Sequence, residues 1–183
     1  MNDIKPIIFL FPIIALVLVT SLYFYFLKKA IDKVAFKKMM LVILVLGFIL
    51  NFVWELVQMP LYKDAPYTTS HIAFCALASV ADALMVLLIY LVLALIFKNP
   101  FWVQNIQWQR VVIVIVIGGV GAILSEMRHL SISSWAYDDS MPIIPMVNVG
   151  LSPLLQFALL PIVIYLLSNT KTKHLKKIEM LCF

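Results

Sequence analysis

A chain of 183 residues has room for one compact domain, and here 64% of the residues are hydrophobic and only 13% charged. A water-soluble domain of that size cannot hide so much apolar surface, so the composition excludes one and points to lipid as the solvent. The formal charge of +5 does not indicate nucleic-acid binding, because the basic residues fall in short runs between apolar segments.

Five apolar segments follow one another at about 6–27, 39–59, 72–97, 111–130 and 149–167. Each is close to the ~20 residues that a helix needs to cross a ~30 Å hydrocarbon core. Strands would leave backbone polar groups unpaired in lipid, so the expected fold is all-α. It is a single polytopic membrane bundle of five transmembrane helices covering 1–183. The first segment runs to Leu27 with no A-x-A cleavage site and is expected to be retained. Its only polar residues are Thr20 and Ser21.

Topology follows from the links. Lys28, Lys29, Lys33, Lys37 and Lys38 follow segment one, Lys98 and Arg110 lie between segments three and four, and Lys171, Lys173, Lys176 and Lys177 are in the tail. The other side holds only Lys5, Lys63 and Arg128. The positive side is cytoplasmic, which puts the N-terminus outside and the C-terminus inside a bacterial inner membrane. Cys75 and Cys182 then lie on opposite sides and form no disulfide framework. The outer links at 60–71 and 131–148 carry Pro60, Pro66, Trp135, Tyr137, Pro142 and Pro145, the make-up of rigid lids.

Polar residues inside the segments form stripes at helical spacing. Segment two carries Asn51, Glu55 and Gln58, and segment three His71, Cys75, Ser79 and Asp82. Segment four carries Ser125, Glu126 and His129, and Asn148, Ser152 and Gln156 recur every four residues along segment five. Ionisable groups in a bilayer cost about 2.5–3.5 kcal/mol each on insertion scales, so they need a reason. All four stripes lie in the outer half, and the simplest reason is convergence on one outward-facing polar cavity. Segment one would pack peripherally, and the apolar inner halves would close the cavity from below. Asp82, about ten residues into its segment, is the best candidate for a carboxyl kept neutral as a general acid. Its bland alternative is a hydrogen bond gluing helices together.

Trp54, Tyr62, Tyr67, Trp135 and Tyr137 fit an interfacial aromatic belt, although Trp54, beside Glu55, could line the cavity. Glu126 and His129 have the Glu-x-x-His spacing of di-iron bundles, and with His71 and Cys75 they could form a metal site. Such bundles need two of these motifs and this chain has one, so no metal is expected. No P-loop, GxGxxG or nucleophile motif appears, and no cofactor is expected.

Two blocks carry a resemblance. Asn51-Phe-Val-Trp54-Glu55-Leu-Val-Gln58-Met-Pro60-Leu-Tyr62 is the first; Glu126 followed by Trp135-Ala-Tyr137, then Met141-Pro142-Ile-Ile-Pro145 and Gly150-Leu-Ser-Pro153-Leu-Leu-Gln156, make up the second. Together they resemble a group of small bacterial integral membrane proteins of uncharacterised function. More remotely, Asn-x-x-Trp-Glu resembles the membrane-bound terpene cyclases of meroterpenoid pathways, which have seven helices. The Glu-then-Trp-x-Tyr pattern looks like carotenoid cyclase-type proteins, and five-helix sterol isomerases share the architecture. The likeness implies acid-initiated chemistry on an isoprenoid, with Glu55 matching the block's glutamate and Asp82 as counterpart of a second acid.

The expected function is therefore a membrane enzyme, or relative of one, acting on an isoprenoid or other lipidic substrate by protonation, cyclisation or isomerisation. Glu55, Asp82 and Glu126 are the expected catalytic acids. Asn51, Trp54, Gln58, His71, Ser79, Trp135, Tyr137, Asn148 and Gln156 are the expected substrate contacts. One alternative is a binding or transport protein for a small hydrophobic molecule or metal ion; another is a non-catalytic assembly subunit.

Overall fold

The structure, a computed structural model, describes the backbone of residues 10–181 and the side chains of residues 13–169. Among the described residues it has five α-helices: α1 (Leu10–Lys29), α2 (Lys33–Gln58), α3 (Thr69–Ile96), α4 (Trp108–Ser131) and α5 (Leu151–Leu181). Among the described residues, 33–61, 69–96, 108–131 and 151–169 are long and apolar enough to cross a membrane. The expected start of the first segment at 6, Lys5 and Cys182 lie outside the described residues, as do the side chains of the tail lysines.

The helices overrun the apolar segments, and local chemistry sets where they stop. Ala30–Asp32 is all that separates α1 from α2, so the lysines of this link sit on helix ends rather than in a loop. Asp32 caps α2 by accepting from the Ala35 backbone N–H at 2.9 Å. Thr68 caps α3 in the same way, accepting from the His71 N–H. Pro60, in the short 3-10 turn Met59–Leu61, closes α2. The far ends of α3 and α4 share one device. Lys98 and Ser133 adopt left-handed φ of 52° and 53°. The next residues, Asn99 and Ser134, then donate back to Ala94 and His129 at 3.0 and 2.9 Å. These bonds satisfy carbonyls that a helix end leaves orphaned.

Within the bundle α2 packs against α3 and α5, α4 lies on α5, and α1 lies mainly on α3, at the periphery. Small residues set the closest approaches, as expected where lipid gives no hydrophobic drive. At Gly47 a Cβ would stand 3.3 Å from the Ala83 Cα. At Gly118 it would fall on the Phe157 carbonyl oxygen. Pro161, four residues after Phe157, has no N–H to offer that carbonyl, so α4 backbone packs where α5 lacks a helical bond.

One end of the bundle, bearing Lys29, Lys33 and Lys98, is filled by aromatic rings. Tyr90, Trp102 and Tyr165 are fully buried with centroids 5.4–5.6 Å apart. Their polar atoms are spent on backbone carbonyls: Tyr90 on Pro100, Trp102 on Tyr90 and Tyr165 on Val86. At the opposite end the two long links meet. Tyr62 and Tyr137 pair as an antiparallel bridge. Lys63 N–H donates to Ala136 O and Asp138 N–H to Leu61 O, each at 2.9 Å. The strands β1 (Ile143–Ile144) and β2 (Val149–Gly150) form a small hairpin leading into α5.

That hairpin corrects one expectation drawn from spacing. Asn148 is not on the α5 stripe. It sits in the hairpin turn, exposed, with φ of 53°. Asn tolerates this left-handed geometry better than most residues, and Met146 in the same turn is left-handed too, at φ 76°.

Candidate functional site

Asn51, Glu55 and Gln58 sit on one face of α2 and meet Gln156 of α5 and Asp82 of α3 beneath the joined links. The Asn51 amide donates to its own helix at Gly47 O, 2.7 Å, leaving its oxygen free to accept. Gln156 Nε2 is the hub: it reaches Asn51 Oδ1 at 3.0 Å, Glu55 Oε1 at 3.1 Å and Asp82 Oδ2 at 3.3 Å. Gln58 Nε2 donates to the same Glu55 oxygen at 2.9 Å and to Gln156 Oε1 at 3.1 Å. Ser152 then donates to Gln58 Oε1 at 2.8 Å and accepts from Trp54 Nε1 at 3.2 Å.

Donor counting shows an imbalance. The Gln156 amide has two hydrogens and faces three acceptors, two of them carboxyls. Glu55 is served a second time by Gln58, whereas Asp82 has the longest of these bonds. Asn51, Gln58 and Gln156 are buried, but Glu55 and Asp82 are only half-buried. Glu55 and Asp82 are therefore less enclosed, residue for residue, than the amides they meet.

Glu126, on α4, is buried and held by the overlying loop. Its Oε2 accepts from the Tyr137 hydroxyl and from Trp135 Nε1, the latter at 3.2 Å. Gly150 makes room for this: a Cβ there would come within 3.1 Å of Tyr137 Cζ and 2.9 Å of Met141 Sδ. Trp135 stacks on His129 with centroids 4.1 Å apart and planes at 18°.

Tyr62 joins the two groups. Its ring lies 5.5 Å from Tyr137 and 6.3 Å edge-on to Trp135. Burial pushes its phenol above the ordinary 10.0, and the nearby Glu126, Glu55, Tyr137 and Asp82 push it further. Burial, then the bond to Glu126, also raises Tyr137. Unfolded tyrosines ionise near pH 10 while these two stay neutral, so the stability they contribute is complete below pH 10 and declines above it. The melting temperature of the detergent-solubilised protein should fall between pH 9 and 11. Tyr62→Phe with Tyr137→Phe should shrink that fall; an unchanged fall would remove both phenols from the explanation.

The site thus gathers Asn51, Trp54, Glu55, Gln58, Asp82, Glu126, Trp135, Tyr137 and Gln156 of the expected residues. Others stand apart. The His71 ring bonds Thr68 Oγ1 at 3.0 Å within its own cap, and Ser79 Oγ turns back to Cys75 O at 2.7 Å. Asn148 is in the hairpin turn. His129 is engaged by Trp135 and by Ser134, 3.3 Å away. Among the described residues no three His, Cys, Asp or Glu side chains are grouped to hold a metal, so His71, Cys75, Glu126 and His129 form no such set. Ser152 and Tyr62 are the additions. Ser152 carries a usable signal, four residues before Gln156 on the same helix face. Tyr62 fits a belt residue by position alone, and only the pairing of two distant links turns it inward.

Compared with known proteins, the chain matched no protein family, no curated protein and no solved structure.

Proposed function

We propose that this protein is a five-span bacterial inner-membrane enzyme acting on an isoprenoid or other lipidic substrate by acid–base chemistry at the carboxyl cluster. The N-terminus lies outside and the C-terminus in the cytoplasm. The lysines at one end of the bundle support that orientation, and the 20 residues of α1, about 30 Å of helix, supply the fifth span. One observation carries the chemical reading: Glu55 and Asp82, from neighbouring helices, compete for the one amide of Gln156 in a buried polar network.

A proton on one of these carboxyls relieves the donor shortage and makes that group a general acid. Asp82, with the weaker bond, is assigned the proton. Transfer to a C=C bond of the substrate forms a new C–H bond and leaves a carbocation and the Asp82 carboxylate. A second carboxylate then removes a proton from a neighbouring carbon, so the product is an isomer or cyclised isomer of the substrate and no oxidant is consumed. Glu126, held as an acceptor by two donors, suits that second role. The faces of Tyr62, Trp135 and Tyr137 can stabilise the cation, and the loop cover limits quenching by water. The Asn-x-x-Trp-Glu likeness to terpene cyclases supports the same chemistry.

The test works without a named substrate. Purified protein in nanodiscs is incubated in D2O with a bacterial lipid extract, and lipids are screened for deuterium at non-exchangeable carbon. Catalysis of this kind labels at least one polyene, and heat-inactivated protein labels none. A second reading has support in the complete satisfaction of buried side-chain N and O atoms among the described residues: a subunit whose polar groups only join helices. It predicts no labelling at all.

A further inference from the structure

The lysine end carries a second feature, remote from the carboxyl cluster. A cavity of about 420 Å3 opens between the C-terminal ends of α1 and α3, lined by Tyr25, Phe26, Lys29, Leu95, Lys98 and Pro100. That volume is typical of small-ligand sites. The lining divides by chemistry. Phe26 is buried and Leu95 exposed, so an apolar wall runs from the core to the exposed surface. Two lysines and, among the described residues, no acid complete it.

The ammonium of Lys29 is positioned by its surroundings, and Lys98 is placed at the cavity by its backbone. Lys29 Nζ donates to the Tyr25 hydroxyl at 2.7 Å and sits 4.3 Å from the centre of the Tyr25 ring, held against the wall. Lys98 occupies the left-handed position after α3, at φ 52°, where glycine or asparagine is sterically favoured. Cations do complement helix C-termini, and both lysines lie at such ends. That role accounts for charge near the carbonyls. It does not account for an aromatic-walled cavity lined by both lysines.

We infer that this cavity binds the phosphate headgroup of an anionic glycerophospholipid of the cytoplasmic leaflet. The phosphate lies between Lys29 and Lys98, and the acyl chains run past Leu95 along the outer faces of α1 and α3. Basic pockets between helices on the cytoplasmic side suit this chemistry. The site shares only the membrane orientation with the enzyme reading; its outcome is independent of any turnover.

Native mass spectrometry of the purified full-length protein in detergent tests it, with titrations of phosphatidylglycerol, phosphatidylcholine and inorganic phosphate. Wild type should retain one phosphatidylglycerol at least tenfold more tightly than phosphatidylcholine. Lys29→Gln with Lys98→Asn should weaken phosphatidylglycerol about 30-fold, roughly fivefold per lysine. Asparagine suits the left-handed backbone, so that variant keeps the turn. The pair Lys28→Gln and Lys33→Gln makes the same change in charge beside the cavity and should cost less than threefold. Equal retention of the two lipids, or equal losses from both lysine pairs, overturns the site. Displacement of the lipid by an equimolar amount of inorganic phosphate assigns the cavity to free phosphate and overturns the lipid. The three wild-type titrations decide the matter even if a variant fails to fold.

Discussion

Asp82→Asn and Glu55→Gln should each lower carbon-bound deuterium labelling, Asp82→Asn by a factor of about 100–10,000, the range that a positioned general acid supplies. Both replacements keep side-chain volume and an acceptor oxygen, so Gln156 still has its partners and the bundle keeps its packing. Asp82→Asn removes the transferable proton, and Glu55→Gln removes the competing charge that keeps it on Asp82. Asp82→Asn should be the more severe, because Glu55 is already served by two amide donors while Asp82 has only the 3.3 Å bond from Gln156. The fold is checked in the same samples by thermal unfolding in detergent. Full labelling in both variants eliminates the mechanism. Lost labelling accompanied by an unfolded protein gives the network a structural role, and the double variant Asn51→Leu/Gln156→Leu then serves as the reference for pure loss of polar glue.

The second large effect is on stability. Gly118→Val should destabilise the protein by about 3 kcal/mol, the upper part of the range for overpacking a close contact. The added carbons fall on the Phe157 carbonyl, which is backbone and cannot rotate away as a side chain could. α4 must therefore lift from α5, and Glu126 moves with it. Gly121→Ala, in the same glycine-rich stretch, has no atom within 4 Å of the new Cβ and should be near neutral. Unfolding of the two variants in mixed micelles separates them; a loss from Gly121→Ala as large as that from Gly118→Val would remove the crossing from the explanation, because helix propensity alone favours both replacements.

Apolar run length makes the helices legible, because lipid forces every backbone group into a helical bond. Charge and polarity at intervals of three and four then place Asn51, Glu55 and Gln58 on one face of α2 without any structure. Ser152 and Gln156 are legible for the same reason. Asn148 continues the numerical interval but not the helix, since its spacing says nothing about the left-handed turn that Pro142, Pro145 and the hairpin impose. Trp102 and Tyr90 are not legible as a plug either. One lies in a link and the other in an apolar run, and their contact depends on how α3, α5 and that link are arranged in space. Tyr62 is hidden for a similar reason: its partner Tyr137 lies in a distant segment with no periodicity.

The seam between the two outer links is made of main-chain bonds, Lys63 to Ala136 and Asp138 to Leu61. Side-chain replacement along that seam changes its chemistry but not its closure, whereas one inserted residue on either strand would slip the register and swing Tyr137 away from Glu126. The closure of this surface therefore depends on the length of the two strands, and its grip on Glu126 on the side chains of Trp135 and Tyr137.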